Sequence, residues 1–96
     1  MGIEDVLRDR RDEILEIVRR HGADHVRVFG SIARGEARAD SDVDLLVKPG
    51  PKTSAWFPAG LVLDLEALLG RKVDVLTENA LHWYIRDRIL SEAVPL

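Results

Sequence analysis

Asp42 and Asp44 are separated by one residue, and six residues separate Asp42 from the run Gly30-Ser31-Ile32-Ala33-Arg34-Gly35. Side chains two apart on a strand point to the same face, so Asp42 and Asp44 present two hard oxygen ligands to one surface. The apolar residues Val26, Val28 and Phe29 precede the glycine, and Leu45-Leu46-Val47 follow the second aspartate. Both segments therefore read as strand ends. A turn of small residues leaving a strand can set backbone N–H groups against phosphate. Gly30 allows that approach because no Cβ stands in the way. Phosphate donors beside paired carboxylates predict a metal-dependent nucleotide site.

A third carboxylate repeats the design. Asp74 lies between Val73 and Val75 and points away from the face they share. Aspartate is a poor strand former, yet Asp42, Asp44 and Asp74 all fall at strand-like positions between Val and Leu. Should the second and third strands be neighbours, all three carboxylates converge. Two like charges ~5 Å apart repel by roughly 3 kcal/mol at an effective dielectric near 20, a large fraction of the ~5–15 kcal/mol expected for a small domain. Such a cluster calls for a bound cation. Oxygen ligands without cysteine favour Mg²⁺ or Mn²⁺ over zinc. His21 and His25 flank a turn and His82 sits on a helix, without a spacing that would make them ligands.

The Gly30-Ser31 pair is by itself an ordinary turn with serine as a helix N-cap. It is neither a P-loop nor a G-x-G-x-x-G fingerprint. The spacing to Asp42 and Asp44 is what makes it a candidate. Arg34 has two readings: a guanidinium that matches phosphate geometry, or a surface partner of Glu36 or Asp40. Arg38 reads as surface.

The elements that must position these groups follow from periodicity and punctuation. Ile3 to His21 reads as an amphipathic helix ended by Gly22, its apolar stripe interrupted at Arg10 and Arg11. The charged run Arg8 to Glu13 reads as a solvated face. Strands are predicted over His25 to Phe29, Asp42 to Lys48 and Lys72 to Leu76. Ser31 to Glu36 starts a short helix. Pro49-Gly50-Pro51 breaks the second strand. A helix from Pro58 to about Leu69 buries Leu61, Leu65, Leu68 and Leu69 and stops at Gly70. A last helix runs from about Asn79 to about Ala93, with Pro95 beyond it. The order is α-β-(α)-β-α-β-α, an α+β fold with a small mixed sheet flanked by helices. Trp83-Tyr84 is expected in the core, whereas Trp56-Phe57 sits in a loop and reads equally as core or surface.

The combination Gly30-Ser31-x-x-Arg34-Gly35, then Ser41-Asp42-x-Asp44-Leu45, then a lone Asp74, resembles the DNA polymerase β-like nucleotidyltransferase superfamily. The short length, the Arg34-Gly35 pair and the run Tyr84-Ile85-Arg86-Asp87-Arg88-Ile89-Leu90 look like its minimal nucleotidyltransferase branch. The resemblance implies that Asp42, Asp44 and Asp74 are the catalytic, metal-binding carboxylates, that Gly30 and Ser31 bind the triphosphate, and that two Mg²⁺ ions act with ATP as substrate. It further implies an antitoxin whose partner is a HEPN-domain ribonuclease toxin, with AMP transferred to a tyrosine hydroxyl of that partner. Two other functions remain open: a non-catalytic antitoxin that acts by binding, and an adenylyltransferase with a small-molecule acceptor.

Composition bounds the rest. Ninety-six residues, 46% hydrophobic and 32% charged, are expected to form a single globular domain over residues 1–96. A net charge of −3 argues against binding nucleic acid directly by charge. The lack of cysteine excludes disulfides and thiolate metal sites. No apolar run nears the ~20 residues that span a bilayer and no signal-peptide core is seen, so the expectation is a cytoplasmic protein, without a membrane partner, that can enter a hetero-oligomer.

Overall fold

The computed structural model describes residues 2–38 and 40–96. Its helices are α1 (Ile3–Asp9), α2 (Arg11–Arg20), α3 (Ala59–Leu69) and α4 (Trp83–Glu92). Its strands are β1 (Ala23–Phe29), β2 (Val43–Pro49), β3 (Val73–Thr77) and the two-residue β4 (Val94–Pro95). The sheet order is β3-β2-β1-β4. β1 runs antiparallel to both β2 and β4, while β2 and β3 are parallel, joined through α3. The mixed sheet expected from the sequence is thus present.

The apolar pattern explains the layers. On one face, Val43, Leu45 and Val47 of β2 and Val73 and Val75 of β3 meet Ile14, Ile17 and Val18 of α2 and Leu61 and Leu65 of α3. Ile3 and Leu7 of α1 join the same core. The opposite face is smaller. Phe29 and Leu46 there bury against Leu81 and Ile89, with Leu76, Ile85 and Leu90 packed alongside. α4 is therefore seated on the face that also carries Asp44 and Asp74, since 44 and 46 share a parity on β2 and 74 and 76 share one on β3. Arg27 bonds Glu78 beside it, and Arg86 donates to the Glu78 carbonyl at 3.0 Å, fixing the approach to α4.

Four departures from the sequence expectation have local causes. The first helix is two helices, broken at Arg10, which caps the end of α1 and the start of α2 (φ −106°, ψ 15°). The break falls where the apolar stripe lapses. Residues 31–35 form a turn and not a helix: the Arg34 N–H reaches the Gly30 carbonyl at 3.1 Å, but the Glu36 N–H returns to Ser31 at 2.8 Å and the helix goes no further. The last helix begins at Trp83, after a 3-10 turn over Glu78–Ala80. Pro95 does not only end a helix. It pairs with Arg27 as Val94 pairs with Val28, an edge position where a missing N–H is tolerated.

Candidate active site

The strand register assembles the site. Phe29 of β1 stands opposite Asp44 of β2, and Asp44 stands opposite Asp74 of β3. In a parallel pair, residues in register send their side chains to the same face, so Asp44 and Asp74 adjoin. Gly30 follows Phe29 directly and thus turns the chain beside Asp44. Its φ is +75°, a left-handed conformation, and a Cβ there would fall on the Asp44 carboxylate, well inside van der Waals contact. The backbone angle calls for glycine, and any side chain there would also force the Asp44 carboxylate to shift.

Charge at this point is concentrated. Burial, then the neighbouring Asp74 and Asp42 charges, push the Asp44 carboxyl from its ordinary 3.8 up to about 6. A hydrogen bond between the Asp44 and Asp74 carboxyls acts in the same direction, while the Arg34 charge opposes it. Asp42 lies just before β2, half-buried, where the Val43 N–H bonds the Lys72 carbonyl at 3.0 Å. Arg71 reaches the Ser41 carbonyl at 3.2 Å and steadies the same approach. Among the described residues, no three His, Cys, Asp or Glu side chains are gathered closely enough to hold an ion as they stand. The donor chemistry nevertheless fits a hard divalent cation: Asp44 is an oxygen ligand whose carboxyl is pushed up first by burial and then by the charges of Asp74 and Asp42.

Phe29, Asp44, Asp74 and Leu76 line a cleft of about 350 Å³. Ser31 is half-buried next to Gly30. Arg34 pairs with Glu36 at 3.3 Å, as its surface reading foresaw, and also with Glu92 at the end of α4, again at 3.3 Å. The Glu92 bond is the foremost cause of the raised guanidinium pKa. Glu92 also accepts the Gly30 N–H at 3.0 Å. Sequence reasoning missed Glu92. It lies 62 positions from Gly30, and no local pattern links the two.

Other candidates lie elsewhere. The His21 ring bonds Ser54 Oγ at 2.6 Å and Asp64 at 2.7 Å, clasping the loop before α3 to the end of α2. His25 bonds Asp24 at 2.7 Å. His82 precedes α4 and lies against the Tyr84 ring. Arg38 is exposed, and its N–H bonds Ser41 Oγ at 2.7 Å. Trp83 and Tyr84 are not core residues: they are 84% and 67% exposed, because the buried face of α4 runs through Ile85 and Ile89. Trp56 is exposed and Phe57 half-buried.

Residues 11–96 match the family model described as a nucleotidyltransferase domain. A relative from Methanocaldococcus jannaschii, provisionally named a protein adenylyltransferase, is 42% identical over 98% of this chain and 97% of its own length. A protein adenylyltransferase from Thermococcus cleftensis is 40% identical, over 96% of this chain and 90% of its own. A solved structure provisionally described as a minimal nucleotidyltransferase superposes with a TM-score of 0.83 at 50% identity, covering 96% of this chain and 94% of that one. A toxin–antitoxin crystal structure containing AMP-PNP shares the fold, with a TM-score of 0.74 at 17% identity over 88% of this chain and 69% of that one.

Proposed function

The chain belongs to the nucleotidyltransferase domain family, and from that premise we propose that it transfers AMP from ATP to a tyrosine hydroxyl of a partner HEPN-domain ribonuclease toxin, acting as the antitoxin. The observation that carries the proposal is the register that sets Asp44 against Asp74 with the Gly30 turn alongside. The relatives named protein adenylyltransferases support a protein acceptor. The motif likeness and the toxin–antitoxin fold neighbour support the antitoxin role. Residues 1–96 would act as one domain.

In this reading the N–H groups of Gly30 and Ser31, with the Ser31 hydroxyl, bind the β- and γ-phosphates, and Arg34 neutralises part of their charge. Asp42, Asp44 and Asp74 would hold Mg²⁺, which when bound offsets their repulsion, lowers the pKa of the attacking hydroxyl and steadies the pyrophosphate leaving group. Asp74, the most exposed of the three, accepts the proton of the tyrosine hydroxyl, whose ordinary pKa is about 10. The tyrosine oxygen then bonds the α-phosphorus as the bond to pyrophosphate breaks. Phe29 and Leu76 wall the cleft and limit water. A cleft of about 350 Å³ is at the small end of ligand pockets, which favours an acceptor presented by another protein over a second small molecule held inside.

Mass spectrometry of the partner after co-expression tests the proposal. A gain of one AMP on a tyrosine is expected, lost when Asp44 is changed to Asn. An unmodified partner that is still neutralised would instead support an antitoxin acting by contact, for which the exposed Trp83-Tyr84 pair offers a surface.

A further inference from the structure

A carboxylate at the end of a helix meets the negative pole of the helix dipole and is locally disfavoured there. Glu92 is the last residue of α4. It is nevertheless drawn inward, with its side chain 18% exposed. Two tertiary contacts hold it: the Gly30 N–H at 3.0 Å and the Arg34 guanidinium, which reaches both carboxylate oxygens at 3.3 Å. Those contacts are a backbone amide at a strand-ending turn and a guanidinium, the donor set suited to an anionic phosphate oxygen. In the structure the carboxylate of Glu92 engages both of these donors.

We propose that Glu92 is a resident competitor for the nucleotide's phosphates, so that ATP binds by exchange, displacing the Glu92 carboxylate from Gly30 and Arg34. The inference rests on the reading above that the Gly30 turn receives the triphosphate. A single N–H cannot serve both anions at full strength, and two anionic groups on one guanidinium repel. Glu92 therefore weakens ATP binding and screens the turn from other anions.

The test is titration calorimetry with inorganic triphosphate and with ATP, at fixed Mg²⁺, on wild type, Glu92→Gln, Glu92→Asp and Glu36→Gln. Glutamine keeps a neutral acceptor for the Gly30 N–H. Charged hydrogen bonds are about twice as strong as neutral ones, so Kd should tighten by roughly fivefold to tenfold in Glu92→Gln. Glu92→Asp withdraws the charge by one methylene, keeps the helix end acidic and should also tighten binding. Glu36→Gln makes the same charge change on the other partner of Arg34 without touching Gly30, and should change Kd by less than about twofold. In wild type, the Gly30 amide resonance should move on adding triphosphate, and in Glu92→Gln it should start displaced. A structural role alone predicts lower thermal stability together with equal or weaker binding, and that result overturns the inference while leaving the site reading intact. Equal tightening in Glu36→Gln also overturns it, since a general charge effect would then suffice. Tight binding in Glu92→Gln with none in wild type supports it most strongly. Failure of every variant to bind triphosphate overturns the site reading and this inference together.

Discussion

Asp44→Asn should destroy nucleotidyl transfer and at the same time stabilise the metal-free fold. In the folded chain the Asp44 carboxyl titrates at about 6 in place of 3.8, chiefly through burial and the Asp74 charge. At 1.36 kcal/mol for each decade, that displacement corresponds to roughly 3 kcal/mol against the ionised folded state. Asp44 is only half-buried, and solvent screening at such a position leaves about 1–2 kcal/mol. The sign follows from proton uptake. Between the two pKa values the folded state binds the extra proton, so stability falls as pH rises through this window. The cost is fully present above the folded value of about 6 and absent below 3.8, where both states are protonated. Asparagine removes it at every pH. Urea unfolding without divalent ions should thus give the variant about 1–2 kcal/mol more stability at pH 7.5, a rise in Tm of roughly 5–10 °C for a domain of this size. The gap should close as pH falls toward 4. Mg²⁺ should raise the Tm of wild type but not that of the variant. A variant less stable than wild type at pH 7.5, or a gap independent of pH, would refute the placement of Asp44 against Asp74.

Three further outcomes follow from the same geometry. Gly30→Ala forces a left-handed angle on a residue with a side chain and drives its Cβ onto Asp44. It should lower stability by about 1–3 kcal/mol and abolish ATP binding, measured by urea unfolding and calorimetry; normal binding would show that the turn does not need glycine. Leu46→Ala opens the small core beneath α4 and should cost about 2–5 kcal/mol, with hydrogen exchange rising in α4 before it rises in α2. Trp83→Ala removes an exposed ring and should leave stability within about 0.5 kcal/mol while weakening partner capture in a pull-down from the co-expressed pair; a large stability loss would mean that the ring is buried in solution.

Most of the parts could be read from local pattern, because strand alternation, helical stripes and glycine stops act over a few residues. Leu45 and Val47 against Asp44, Val73 and Val75 against Asp74, and Gly70 as a left-handed stop (φ +68°) are all decided by neighbours in the chain. The motif from Gly30 to Asp44 is equally local, and the resemblance it carries agreed with the family match. Misreadings arose where local preference met tertiary packing. Trp83 and Tyr84 are apolar by type, but α4 is seated through Ile85 and Ile89 on the small patch around Phe29 and Leu46, leaving the rings outside. Pro95 does lie beyond the last helix, and what local pattern did not disclose is that the free edge of β1 takes Val94 and Pro95 as a short strand.

Residue types alone thus determined which groups could take part in chemistry, because side-chain direction and turn propensity are short-range properties. Only tertiary structure decided which of them meet. The parallel pairing of β2 with β3 placed Asp44 beside Asp74, and the seating of α4 carried Glu92 to Gly30 across 62 positions of chain. Contacts of that kind depend on register and on how two layers bury their apolar faces, and both are set by the fold as a whole.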